Sequence, residues 1–307
     1  PAGGAASALQ RMKLLLLGGT GQVGRELRRS LLPLGELLVA TRDGGDADLR
    51  ADFDVPESLP ALIARIAPDV VVNAAAYTAV DKAETDAAAA FRINADAVAA
   101  IARACAACGA LLVHYSTDYV FDGGATQPYR EDHATTPLGA YGESKLAGEQ
   151  AIRASGARHA ILRTAWVYAS HGKNFLLTML RMAGEREELR VVADQVGAPT
   201  PAAWIADATA ALIRQGVETS GTWHLTAGGE TSWHGFAEAI IDEAQVRGLV
   251  GRKPRVVGIP TSDYPTPARR PAYSVLDTAR LRRDFGILPP DWREGLQRTL
   301  DEMTSPR

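Results

Sequence analysis

Tyr141 and Lys145 stand four residues apart in the run Gly139-Ala140-Tyr141-Gly142-Glu143-Ser144-Lys145. Four residues is about one helical turn, so in a helix the phenol and the ammonium share a face. A neighbouring ammonium favours the phenolate and is expected to lower a phenol pKa of about 10. Such a phenol suits one task, giving a proton to a carbonyl oxygen as hydride reaches the carbon. Tyr-x-x-x-Lys recurs by chance in many chains, so its weight here comes from its company. Ser116 and Thr117 close an apolar run, where a hydroxyl can bond and orient a substrate carbonyl. Far upstream lies Gly18-Gly19-Thr20-Gly21-Gln22-Val23-Gly24, with Gly18, Gly21 and Gly24 spaced G-x-x-G-x-x-G. Glycines there permit a tight turn, and a following helix N-terminus attracts a pyrophosphate. The combination predicts a nicotinamide-dependent reductase.

Other positions extend the cofactor reading. Thr41-Arg42-Asp43 falls where a second strand ends beside an adenosine ribose. An acid there favours NAD and a base NADP, and this run contains both. Arg42 can clasp a 2′-phosphate through its guanidinium, so NADPH is the expected cofactor, with NADH as the alternative. Asp52 and Phe53 are placed under the adenine. Ala74, Ala75 and Ala76 offer small side chains for close cofactor approach. Asn94 is read either as an anchor for a water near the lysine or as an exposed mid-helix asparagine.

The elements that must hold these groups alternate. Strands are expected over 13–17, 36–41, 70–72, 111–115 and 159–163, and helices over 22–32, 56–66, 84–107 and 140–154. Alternation of this kind indicates an α/β fold with a doubly wound parallel sheet. Beyond residue 168 the pattern loosens, with helical stretches at 174–183 and 232–247. The expected organisation is a dinucleotide-binding domain over 12–170, joined by 202–225. A smaller, mainly α substrate lobe is expected over 171–201 and 226–307.

Composition narrows the class. The 307 residues carry 46% hydrophobic and 22% charged residues and a formal net charge of -3. These values describe an ordinary globular chain and argue against a nucleic-acid or membrane surface. Residues 1–11 lack the apolar core of a signal peptide. They read as a cloning scar or disordered lead before a native start at Met12, and the location is expected to be cytoplasmic. Cys105 and Cys108 have C-x-x-C spacing but lie late in a helical stretch, so packing is preferred over redox or zinc. His114, within a strand pattern, reads as a packed histidine rather than a base. No metal ligand set is predicted.

Six segments in order carry a resemblance: 18–24, 73–84, 116–123 with Tyr141 and Lys145, 163–168, 194–200 and 270–274. On these residues the chain from Met12 onward resembles the extended short-chain dehydrogenase/reductase family. More narrowly it is similar to the branch that completes dTDP-L-rhamnose synthesis. The resemblance implies NADPH-dependent reduction of the C4 keto group of dTDP-4-dehydro-L-rhamnose. It implies a Thr117/Tyr141/Lys145 triad, with Thr117, Asp118 and Trp166 on the substrate side. By the same resemblance the cofactor groups fall on residues 18–24, Arg42, Asp52, Phe53, residues 74–77 (Tyr77 included), Tyr141 and Lys145. In the second lobe Trp166 can pack on sugar or base, Arg269 and Arg270 can pair with a pyrophosphate, and Asp194 and Gln195 can serve hydroxyls or hold their loop. Some members form a magnesium-linked dimer built on glutamates whose counterparts here the resemblance does not identify, so Mg2+ and a homodimer stay open. Two alternatives also stay open: another NDP-sugar epimerase or dehydratase, and a non-catalytic regulatory subunit like that of methionine adenosyltransferase.

Overall fold

The computed structural model describes residues 12–44 and 49–304. The lead at 1–11, expected to be a scar or disordered, lies outside the described residues.

Seven parallel strands form the central sheet. Across it they lie in the order Gly221–His224, His159–Thr164, Leu111–Thr117, Val70–Asn73, Met12–Leu17, Gly35–Thr41 and Leu49–Arg50. Period-two alternation splits the side chains between two cores. Leu15, Leu17, Val71, Leu112 and Ile161 face helices Leu59–Ile66 and Ala97–Cys108. Leu14, Leu16, Val72, Val113 and Leu162 face helices Gln22–Leu31 and Ala202–Gln215. Leu14 to Leu17 are each 0% exposed. At roughly 1.5–3 kcal/mol per fully buried leucine, this central strand is the anchor of both layers.

The chain first builds outward on one side of Met12–Leu17, then crosses to Val70–Asn73 on the other. The order reverses there, and open sheets bind ligands at the carboxyl ends flanking such a reversal. Gly18 leaves one of these two strands and Ala74 leaves the other.

Two local details depart from the sequence expectations. The short strand Leu49–Arg50 was not anticipated. The helix expected over 84–107 is broken into Ala87–Phe91, a π turn at Arg92–Asp96 and Ala97–Cys108. The C-terminal region is mainly helical, as expected, and holds one longer strand pair, Glu188–Val192 with Arg255–Ile259 in parallel. Around that pair, Leu176, Phe236, Ile240 and Leu296 form a separate core. Asn174 and Ser232 start two of its helices, accepting from Leu177 N at 3.0 Å and Gly235 N at 3.0 Å. Cys105 is buried, and burial pushes its thiol up to about 12, so it packs as a small hydrophobe.

Candidate active site

The helix carrying Tyr141 and Lys145 is Ala140–Ala154. Gly139 precedes it and has no side chain to cap it. Glu84 supplies the cap, accepting from Ala140 N at 3.0 Å. Placing an acid at a helix N-terminus also suits the helix dipole. Further along, Gly148 lets the helix press on the π turn, where a Cβ would come within 2.1 Å of Asn94 O.

Asn94 sits inside that turn and is 1% exposed. The exposed reading of Asn94 is therefore wrong. Its amide accepts from Tyr77 N at 2.9 Å, donates to Tyr77 O at 3.0 Å and donates to Ser144 Oγ at 3.0 Å. One buried side chain thus ties the loop after Val70–Asn73 to the helix of Tyr141 and Lys145. The turn bulges because the backbone shifts register to aim this amide, a recurrent use of π turns.

Strand Leu111–Thr117 supplies the rest. Lys145, 2% exposed, donates from Nζ to Tyr115 O at 2.6 Å and approaches His114 Nε2 at 3.4 Å. Burial holds its ammonium down to about 8, against the opposing pull of Glu149. Thr117 Oγ1 donates to Asp118 Oδ1 at 3.0 Å and accepts from Tyr119 N at 3.2 Å. Burial pushes Asp118 up to about 6, partly offset by hydrogen bonds from Ser274 and Thr117. The Tyr119 ring meets Tyr141 edge-on, centroids 5.5 Å apart.

The expected lowering of the Tyr141 phenol by Lys145 does not occur. Burial pushes the phenol up to about 12; the Thr117 hydroxyl lowers it and Asp118 raises it. Lys145 instead spends its contacts on Tyr115 and His114. At neutral pH the phenol is therefore a protonated donor.

A buried ion pair steadies the same helix. Arg163 forks onto Glu149, Nε to Oε1 at 2.8 Å and Nη2 to Oε2 at 2.7 Å. Burial is the largest influence on the Glu149 carboxyl and would raise it, but Arg163, Ser116 and Arg153 together outweigh it and the net shift is downward.

Whether a dinucleotide fits can be read from the crevice beside Gly18. Gly18 has φ +82°, and a Cβ there would lie 2.6 Å from Ala75 N, so only glycine lets the two strand ends close in this way. Helix Gln22–Leu31 begins at Gly21 with no side-chain cap, which leaves its first amides for an anion. Thr20 and Gly21 are exposed at its mouth, with Val23 just inside. The residues present fit a pyrophosphate. Gln22 accepts from Asn174 Nδ2 at 2.7 Å, so its side chain braces the second lobe. Arg42 is exposed and 3.9 Å from Asp54. Asp52 binds Arg50 at 3.2 Å and Asp54 N at 3.1 Å, while Phe53 is 5% exposed in the core.

The second lobe holds a cavity of about 750 Å3, lined among others by Phe175, Arg190, Gln195, Trp233, Tyr264 and Arg270. Trp166 lies flat on Trp233, centroids 3.5 Å apart, and has φ +48°. A bulky residue in left-handed backbone marks strain held by its surroundings. Gly197 makes room, since a Cβ there would lie 2.5 Å from Trp166 Cε2. Trp166 therefore has one face covered by Trp233. Asp194 accepts from Thr261 N at 2.9 Å and from Thr261 Oγ1 at 2.6 Å, which is the loop-holding role. Gln195 donates to Thr261 Oγ1 at 3.1 Å and borders the cavity. Arg270 is forked on Asp81 at 3.0 and 2.9 Å, so it is committed within the protein. Arg269 is exposed.

Sequence reading missed Asn73, Glu84, the Glu149–Arg163 pair, Asp81 and Trp233. Glu149 had a usable signal, four residues beyond Lys145 on one helical face. Asn73, Asp81, Glu84 and Arg163 lie in segments that carried the resemblance, but nothing local named their roles, since their partners are far away in the chain. Among the described residues, no group of three or more His, Cys, Asp or Glu is placed to hold a metal ion, and no helix is long and apolar enough to cross a membrane.

Residues 12–305 match the family described as the RmlD substrate binding domain. The chain is 52% identical over 293 residues to the dTDP-4-dehydrorhamnose reductase of Burkholderia thailandensis, covering 92% of this chain and 96% of that one. It is 49% identical over 295 residues to the enzyme of that name from Shigella flexneri, covering 95% and 98%. The crystal structure of dTDP-4-dehydrorhamnose reductase from Bacillus anthracis in complex with NADP has a TM-score of 0.85 at 34% identity, covering 95% and 99%.

Proposed function

The chain belongs to the RmlD substrate binding domain family, and on that premise we propose that it reduces the C4 keto group of dTDP-4-dehydro-L-rhamnose to dTDP-L-rhamnose with NADPH. The observation that carries this reading is the meeting of strand Leu111–Thr117 with helix Ala140–Ala154, where Thr117 neighbours Tyr141 and Tyr115 O holds Lys145.

Thr117 and Tyr141 orient the keto oxygen. NADPH, when bound, supplies hydride to C4. The Tyr141 phenol, protonated at neutral pH, gives its proton to the oxygen at C4, since a secondary alkoxide is a stronger base than a phenolate. Lys145 holds the ribose hydroxyls. Catalysis then rests on orientation and a pre-set donor. The amides that begin helix Gln22–Leu31 take the pyrophosphate, Ala74 to Tyr77 the neighbouring backbone side, Arg42 the 2′-phosphate, and Asp52 and Phe53 the adenine.

The cavity of the second lobe is proposed as the nucleotide-sugar site, with 171–201 and 226–307 as the substrate lobe. Phe175, Trp233 and Tyr264 offer flat faces to a base. Arg270 meets the diphosphate only by exchanging the Asp81 carboxylate for it. Asp118, Trp166, Asp194, Gln195 and Arg269 complete the substrate side. We expect a cytoplasmic enzyme, monomeric or homodimeric.

The test is a spectrophotometric assay of reduced nicotinamide with the keto sugar, comparing NADPH and NADH. Reduction with NADPH preferred is expected, and no consumption of either cofactor sinks the reading. Tyr141→Phe should lose about 10²–10⁴-fold in kcat with NADPH still bound. Unchanged turnover in that variant would remove Tyr141 from the role of proton donor.

A further inference from the structure

Lys145 has a buried neighbour that the reduction itself does not use. His114 is 0% exposed. Its Nε2 lies 3.4 Å from Lys145 Nζ, and its Nδ1 lies 3.1 Å from Asn73 Nδ2. Asn73, 1% exposed, accepts from Ala75 N through Oδ1 at 3.1 Å.

The direction of this chain is set at one end. A backbone N–H only donates. It therefore fixes the Asn73 oxygen toward Ala75 and the amide NH2 toward His114. The NH2 requires Nδ1 to accept, so a neutral ring carries its proton on Nε2. That N–H points at Lys145 Nζ, and an ammonium has no lone pair to receive it. The chain closes on an amine.

We propose that Asn73 and His114 are positioning residues that bias Lys145 toward the neutral amine, and that they link this bias to the loop beginning at Ala74. Only the kinetic arm of its test rests on the reductase reading. The other groups around Lys145 are few. On its own helix are Tyr141 and Glu149, and Glu149 favours the ammonium. The π turn presents Asn94, which is uncharged, and the turn after Thr117 presents Asp118, which acts on Tyr141. His114 itself is held neutral by burial and by Lys145. Within this set, His114 is the only group whose proton position depends on Asn73.

Two measurements decide it. In nitrogen-15 spectra of histidine-labelled protein, His114 (assigned by its absence in His114→Gln) should be neutral with the proton on Nε2. A proton on Nδ1 overturns the proposal. In Asn73→Asp the carboxylate accepts from both Ala75 N and the ring, so the proton should move to Nδ1 and expose a lone pair to Lys145. The new carboxylate attracts the ammonium directly as well, so the alkaline limb of the kcat/KM profile should rise by about one pH unit or more beyond its rise in Asn73→Asp combined with His114→Gln. A switched tautomer with a rise no larger than that of the double variant disproves the link to Lys145. If the wild-type protein shows no reductase activity, that reading fails, while the wild-type tautomer still decides whether the chain has the proposed direction.

Discussion

The Tyr141–Lys145 edge of the sheet and the cavity of the second lobe are both lined with polar groups, yet they are held in opposite ways. At the sheet edge Asn73, Asn94, His114, Lys145, Glu149 and Arg163 are all buried, and each hydrogen-bonds a fixed partner. Around the cavity the charges pair near solvent. Arg270 with Asp81 is 22% and 42% exposed at the side chains, and Arg190 with Asp263 is 59% and 49% exposed. A buried network is costly to break because a stranded group cannot be rescued by water. A half-exposed pair is cheap to exchange for a ligand anion. A rigidly bonded region beside one whose ion pairs are easily exchanged is what the difference teaches.

The comparison can be broken at its strongest point first. Glu149→Ala strands the Arg163 guanidinium in the core and should destabilise the fold by about 3–5 kcal/mol, read as a lowered denaturant midpoint. A loss under about 1 kcal/mol would make that pair no different from the surface ones.

Next in size is Lys145→Met. The folded lysine titrates near 8 rather than 10.5. Its folded pKa is depressed, so between these values the unfolded chain binds more protons and stability rises with pH. Below pH 8 the buried cation is a penalty on the order of 3 kcal/mol. Lys145→Met should therefore be more stable than wild type at pH 7 and lose that advantage as pH rises from 8 toward 10. Equal stability curves would contradict the burial assigned to Lys145.

Gly197→Ala sharpens the other side. The added methyl collides with the Trp166 indole, and such overpacking costs about 1–3 kcal/mol. KM for the sugar should rise while NADPH affinity stays unchanged, and equal effects on both ligands would undo the separation of the two regions. The smallest effect belongs to Asp81→Asn. Partial exposure screens this pair, so stability should change by less than about 1 kcal/mol. In titrations of the protein with the nucleotide diphosphate, binding should hold or tighten as Arg270 is released. Weakened binding would show that Asp81 positions Arg270 rather than competing for it.

Much of the fold was legible because it is written in short-range periodicity. Leu14 to Leu17 announce a strand buried on both faces, and the glycines at 18, 21 and 24 announce the turn that follows. The long helix was misread over 84–107 because nothing local marks a register shift at residues 92–96. Its cause is the contact of Asn94 with Tyr77 and Ser144, the latter 50 residues away. Trp166 was legible as an aromatic but not as half covered, since Trp233 comes from another segment.

From the sequence alone came the identity of the chemical groups and their nearest spacing. Tyr141 and Lys145 share a helical face wherever that helix is placed, and Gly18 can adopt its turn before anything packs on it. These are consequences of covalent geometry within a few residues. Tertiary structure decided the electrical state of those groups. The phenol went up rather than down, and the lysine turned to Tyr115 and His114. Arg270 found Asp81 across 189 positions. Burial and partner choice set a pKa or an ion pair, and both depend on which distant segments exclude water from a site, a quantity that no local stretch of sequence contains.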